Sequence, residues 1–331
     1  MITRRYFLTV TGGTAASWSS LAPRASAQQA ARPVIGFLQP GAPEASANVA
    51  AAFRKGLSES GYNEGRDLVI EYRWANNDLN RLPELAADLV RRRVSVIATL
   101  ASGDATSAAK AATTTIPIVF STGADPVQIG LVATLNRPGG NLTGISTMSA
   151  ELVTKRLGLL RELVPTAARF AALMNPNQPD EPSLTADVKS AAVALGRPVD
   201  IFHAGTIREI EEAFVKLAQN RPDALHVVSG SFFTSRRVQL ATLVARHGIP
   251  AIYGDRQYAE VGGLMSYGPS AVDSFRQAGI YAARILRGEK PAELPILRAS
   301  KFEFVINLPT ARAFGLVIPP NLLAIADETI D

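Results

Sequence analysis

Three histidines, His203, His226 and His247, supply every imidazole in the chain, and none has a partner four residues away. The two-histidine helical spacing of a zinc site is therefore missing, and surface or strand-end roles are expected for all three. There is no cysteine, which removes thiolate metal sites, disulfides and a cysteine nucleophile. It also removes the cleavage-site cysteine that a lipoprotein anchor requires. Gly36-Phe37-Leu38-Gln39-Pro40-Gly41 does not fit a dinucleotide-binding fingerprint, and no phosphate loop ends in Gly-Lys-Ser/Thr. Gly230-Ser231-Phe232 lacks the flanking glycines of a nucleophile elbow. No cofactor and no metal is expected. What remains is a set of neutral hydrogen-bonding groups, a few carboxylates and some aromatics, the chemistry of reversible capture of a small molecule.

Those groups need a scaffold, and the hydrophobic pattern supplies one. Val34-Ile35-Gly36-Phe37-Leu38 is a fully apolar run, as in a strand buried on both faces. Val49, Phe53 and Leu57 then recur four apart on a helical stripe. Further strands are predicted at 68–72, 94–100 and 116–120, alternating with helices at 82–90 and 105–112. A second run follows: strands at 170–174, 199–202, 224–228 and 251–253, and helices near 152–163, 184–195, 207–218 and 235–247. The tail adds a helix over 271–286 and a strand over 302–308. Two such alternations in 331 residues, at roughly 150 residues per domain, predict two doubly wound α/β lobes with parallel sheets. Glycine-rich segments near 139–147 and 262–267 suggest crossings between lobes at about 147, 265 and 303. That gives a first lobe of 33–147 plus 266–301, a second of 148–265 plus 302–331, and a hinge able to close on a ligand.

Ligands of open α/β sheets sit beyond the carboxyl ends of the strands. That rule selects Gln39, Ser102, Thr106, Ser121 and Asp125 from the first lobe. From the second it selects Asn175, Ser229, Ser231, Tyr253 and Asp255. Thr147 and Tyr267 lie at crossings. Ser102 and Thr106 are candidates to donate to a carboxylate, or Ser102 and Asp104 simply cap the following helix. Asp125 precedes Pro126 and is a candidate partner for a ligand ammonium, or a cap. Asp255 faces the same region, with pairing to Arg256 or a turn contact as its alternative. Tyr253 and Tyr267 either stack on an aromatic ligand or pack at the hinge, while Phe232 and Phe233 are assigned to core or rim.

Residues 1–27 form a separate signal. Thr3-Arg4-Arg5-Tyr6-Phe7-Leu8 fits a twin-arginine export address. A weakly apolar stretch from Thr9 to Leu21 follows, too short for the ~20 strongly apolar residues of a membrane span. Ala25-Ser26-Ala27 ends it as a cleavage site. A freely diffusing periplasmic protein is the expectation. Three of the net +5 charges belong to this leader, at Arg4, Arg5 and Arg24. The nearly balanced remainder offers no footprint for nucleic acid, and Arg91-Arg92-Arg93 reads as a solvated helix end.

Several segments together carry a family resemblance. Ala52-Phe53-Arg54-Lys55-Gly56-Leu57-Ser58-Glu59-Ser60-Gly61-Tyr62-Asn63-Glu64-Gly65, with Ile70-Glu71-Tyr72-Arg73-Trp74-Ala75, resembles the substrate-binding proteins of an ABC importer family. Leu82-Pro83-Glu84-Leu85-Ala86-Ala87-Asp88-Leu89-Val90, Thr115-Ile116-Pro117-Ile118-Val119-Phe120, Asp125-Pro126-Val127 and Arg137-Pro138-Gly139-Gly140-Asn141-Leu142-Thr143-Gly144 are similar to the same family. The resemblance covers nearly all of the chain after the leader. It implies a type I periplasmic-binding fold, a permease partner in the inner membrane, and an amino acid or aromatic acid as cargo. One loop departs: Gly103-Asp104 stands where the family pattern has Thr-Pro, and an aspartate there opposes a carboxylate docked on the helix start.

The leading reading is thus a monomeric solute-binding protein of an ABC importer, without enzymatic activity. An exported α/β enzyme using the same cleft is the alternative, and its nucleophile or cofactor loop is not found. A sugar-type transcription regulator would need an N-terminal helix-turn-helix where the leader stands.

Overall fold

The computed structural model describes residues 32–44, 46–147, 152–178 and 180–331. The leader, including Arg4, Arg5 and the cleavage site, lies outside the described residues. The first half runs β1 (Val34–Gln39), α1 (Ala47–Glu59), β2 (Val69–Trp74), α2 (Leu82–Arg91), β3 (Val96–Thr99), α3 (Gly103–Ala112), β4 (Ile118–Thr122) and β5 (Leu142–Ser146). The second runs α4 (Val153–Leu163), β6 (Phe170–Met174), α5 (Glu181–Leu195), β7 (Val199–His203), α6 (Ile207–Asn220) and β8 (Ala224–Val227). It continues through α7 (Ser231–Ser235), α8 (Arg237–His247), β9 (Ala251–Tyr253), α9 (Arg256–Glu260) and β10 (Met265–Pro269). The tail holds α10 (Ala271–Leu286), β11 (Leu297–Arg298), β12 (Phe302–Asn307), α11 (Leu308–Ala313), α12 (Pro320–Ile325) and β13 (Glu328–Ile330).

Two sheets result, ordered β11-β5-β4-β3-β1-β2 and β13-β12-β10-β9-β8-β6-β7. Among the described residues every strand pairing of the first is parallel. The second is parallel from β7 to β10, then gains β12 antiparallel to β10. Continuous apolar strands require cover on both faces, and they have it. In the first sheet, α1 and α10 pack one face through Phe53, Leu57, Phe275 and Ala282, and α2 and α3 the other through Leu89 and Ala109. In the second, α4 and α5 cover one face and α6 and α8 the other.

The chain changes sheet between β5 and α4, between β10 and α10, and between β11 and β12. The middle change comes after Pro269, so the expected boundary at 265/266 falls inside β10. Gly262 and Gly263 serve the turn into β10 instead: Gly262 has φ of +97°, and a Cβ on Gly263 would stand 2.7 Å from the Tyr258 carbonyl. The second and third changes are tied together. Ser270 N donates to Lys301 O at 2.8 Å, Lys301 Nζ lies 3.2 Å from Asp273, and Pro269 pairs with Phe302 in register.

Candidate functional site

Each sheet reverses its strand order once along its parallel run, between β1 and β3 in the first and between β6 and β8 in the second. Such switch points leave a crevice outside the carboxyl ends. In both sheets a glutamine amide spans the switch point. Gln39 Nε2, at the end of β1, donates to Leu100 O at 2.8 Å. Gln178 Nε2, just past β6, donates to Ser229 O at 3.2 Å. These bonds fix two loops against each other at each crevice. The first crevice is stitched further, by Ala75 N to Gln39 O at 2.9 Å and Asn77 N to Pro40 O at 2.7 Å. Just past β3, Ala101 holds φ at +57°, a left-handed conformation that costs a side-chain-bearing residue about 1–3 kcal/mol and gathers at functional sites.

The first-lobe candidates reach the carboxyl ends but several turn inward. Ser102 caps α3 by accepting from Ala105 N at 3.1 Å. Thr106 is fully buried; its Oγ1 donates to Ser102 O at 2.8 Å and lies 2.9 Å from Thr99 Oγ1. Ser121 is buried in β4. Asp125 accepts from Val127 N at 2.8 Å, capping a turn rather than a helix. Thr147 Oγ1 donates to Thr122 O at 3.2 Å. Asp104 sits exposed in the first turn of α3.

In the second lobe, Asn175 Oδ1 accepts from Asn177 N at 3.0 Å, and Ser231 is exposed at the start of α7. Asp255 caps α9 by accepting from Gln257 N at 2.9 Å, and enclosure of its carboxyl raises its pKa. Tyr253 is fully buried and stacks on Tyr258 at 4.3 Å. Its ring belongs to the core under α6 and α8, and burial raises its pKa. Tyr267 is half-buried and stacks on Phe302 at 6.2 Å. Phe233 is core, with Phe232 at its rim.

Arg156, not singled out in the sequence, is the largest fully buried side chain among the described residues. Its Nε donates to Tyr267 O at 2.7 Å, so α4 holds the middle of β10. Burial lowers its pKa to about 10, leaving it charged at neutral pH. Burial first, and then the Arg156 charge, push His226 well below the usual histidine range. Arg156 had one sequence signal: it falls on the apolar stripe Val153, Leu157, Leu160 that faces the sheet.

A depression of about 590 Å³ lined by Arg246, His247, Gly262, Pro309 and Phe314 lies where β9 and β10 begin, away from the carboxyl ends. Among the described residues, no cluster of His, Asp and Glu is arranged to hold a metal ion. No helix among them is long and apolar enough to cross a membrane.

Comparison with known proteins adds the family. Residues 36–330 match the family described as ABC transporter substrate binding protein. The chain is 26% identical over 264 residues to a tyrosine-binding protein of Clostridioides difficile, spanning 80% of this chain and 75% of the relative. It superposes on a conserved domain protein from Vibrio cholerae with a TM-score of 0.83 at 26% identity, covering 90% of this chain and 99% of the other. A Streptococcus pneumoniae ABC domain in complex with L-Trp gives 0.82 at 24% identity, over 90% and 100% of the two chains, and speaks to the fold alone. A ligand-free, open substrate binding protein with adhesive properties from Clostridium difficile gives 0.70 at 25% identity, over 90% and 99%.

Proposed function

This chain belongs to the ABC transporter substrate binding protein family, and we propose that its cargo is an aromatic amino acid held between the two sheets' carboxyl ends. The family match over residues 36–330 carries the reading. The curated relative named for tyrosine binding supports the cargo class. The two crevices, each spanned by a glutamine amide, are stitched in the way a preformed site requires. The ligand stabilises the closed arrangement because it contacts both lobes only there.

The reading includes the protein's place in the cell. The twin-arginine pattern at Arg4-Arg5 and the Ala25-Ser26-Ala27 site support export to the periplasm, release at Gln28, and delivery by a monomer to an inner-membrane permease. In this reading Gln39, Asn175 and Ser229 serve the crevices and Tyr267 the crossing that follows it. Tyr253 and Thr106 act from beneath. No enzymatic step is assigned.

A thermal-shift screen of the purified protein against the amino acids tests the cargo. A ligand at a hundred times its Kd stabilises by about 2.7 kcal/mol, so L-tyrosine or L-tryptophan raises Tm by several degrees. A flat response to every aromatic amino acid would refute it.

A further inference from the structure

We propose that Phe302 contacts the ligand, its open ring stacking on the ligand's aromatic ring where the chain passes between the lobes. This rests on the aromatic amino acid reading and assigns the side chain that selects for the ring.

The position comes first. Phe302 is the first residue of β12, directly after the third change of sheet. It pairs in register with Pro269, the last residue of β10 before the second change. The two changes are tied there by Ser270 N donating to Lys301 O at 2.8 Å. A side chain at the start of this short ladder therefore stands where one lobe gives way to the other. Phe302 is also the only exposed phenylalanine, tyrosine or tryptophan among the described residues, at 38%.

A lone apolar residue on a surface needs no explanation, but Phe302 is not alone. Tyr267 sits opposite Phe304 in the β10–β12 ladder, and Phe302 lies diagonal to it, a separation that aromatic side chains bridge across strands. The Tyr267 and Phe304 rings meet edge to face at 6.3 Å, and Tyr267 and Phe302 stack at 6.2 Å with planes 13° apart. Phe304 is core, Tyr267 half-buried and Phe302 exposed, so the three rings run from the interior to the rim. Aromatic pairs favour offset stacking at these separations, and a ligand ring laid on Phe302 continues the run.

The run is held before any ligand arrives. Arg156 Nε fixes the Tyr267 carbonyl at 2.7 Å, and the antiparallel ladder fixes the strands beneath all three rings. Preorganisation of this kind lowers the ordering cost of binding. The flanking charges are engaged elsewhere: Lys301 Nζ lies 3.2 Å from Asp273, and Glu303, one residue on and so on the opposite face of β12, lies 3.5 Å from Arg256. What Phe302 offers is an apolar ring face, which suits a ligand's ring and neither its ammonium nor its carboxylate.

Calorimetry with L-tyrosine and L-tryptophan on the wild type, Phe302→Leu and Phe302→Tyr tests this. Phe302→Leu keeps an apolar side chain and loses the ring, and should weaken both ligands by about three- to tenfold. Phe302→Tyr should bind within about twofold of wild type. The ligand-free Tm of both variants should stay near that of wild type, since the side chain is exposed. A second measurement reads the contact itself. In deuterated protein with protonated phenylalanine rings, the bound ligand's ring protons should show a nuclear Overhauser effect to a phenylalanine ring that disappears in Phe302→Tyr and Phe302→Leu. Unchanged affinity in Phe302→Leu, or no such effect removed by the substitutions, would overturn the contact while leaving the cargo class intact. If Phe302→Leu fails to fold, the Overhauser effect in wild type and Phe302→Tyr decides. Absence of binding of both amino acids by the wild type overturns the cargo reading and the contact together.

Discussion

Replacing Gly279 by alanine should destabilise the protein even though alanine is the better helix former. Gly279 in α10 meets α1 at Gly56. A Cβ at 279 would stand 2.2 Å from Phe53 O and 2.9 Å from Leu57 N, and one at Gly56 would stand 1.9 Å from Arg276 O. Ordinary contact begins near 3.4 Å. The obstructing atoms are backbone, so no rotamer relieves the clash and the helices must move apart. A gap of about 0.5–1 Å already forfeits a quarter to a half of each dispersion contact along the seam. That seam includes Phe53, Leu57, Phe275 and Ala278. Overpacking of this kind costs about 1–3 kcal/mol, and more where Phe53 and Leu57 lose cover. The propensity gain returns about 1 kcal/mol. The cost wins, and at about 2–4 °C per kcal/mol a drop of several degrees in Tm is expected by circular dichroism. Gly158 in α4 is the control, because nothing lies within 4 Å of its added Cβ; Gly158→Ala should gain up to about 1 kcal/mol. A Gly279→Ala protein as stable as wild type would contradict the close α1–α10 packing.

Other expectations follow from the crevices. Gln39→Ala leaves Leu100 O without its buried donor and should cost about 1–3 kcal/mol in denaturant titration, with weaker ligand binding as the first crevice loosens. Ala101→Gly relieves the left-handed alanine and should not destabilise; a loss above about 1 kcal/mol would show that the loop is not strained. Asp255 has its folded pKa raised by burial, so the native state binds its proton more tightly than the unfolded chain. Its contribution to stability therefore falls as pH rises from the ordinary carboxylate range through the raised value, then stays level. Asp255→Asn keeps a cap acceptor for Gln257 N, and its unfolding curve should lack that decline; an unchanged pH profile would remove Asp255 as its source.

The strand–helix alternation was legible in the sequence because buried parallel strands are written as unbroken apolar runs. Phe170–Met174, Ala251–Tyr253 and Ala271–Leu286 lie where the pattern puts them. The position of the middle crossing was not legible. Gly262-Gly263 has the composition of a hinge and the job of a turn, and only the pairing of Met265–Pro269 with β9 and β12 distinguishes the two. The elements after residue 307 were also missed, since α11, α12 and β13 are each too short to show a period.

The candidate site divides the same way. The carboxyl-end rule selects loops at the strand ends but not which side chains face out of them. Ser102 and Asp255 are caps, and Tyr253 faces inward because the pleat of β9 puts it with Ala251 on the α8 side. Gln178 and Arg156 owe their roles to partners at Ser229 and Tyr267, about fifty and a hundred positions away along the chain. Local spacing carries no trace of the Gln178 bond and only a faint one of Arg156, a charge on an apolar stripe.

Capture of a ligand between two lobes is tested most directly by small-angle scattering of the mature protein, alone and with saturating L-tyrosine or L-tryptophan. Closure around the ligand predicts a smaller radius of gyration in the bound state. Saturation proven by calorimetry with an unchanged scattering envelope would contradict it.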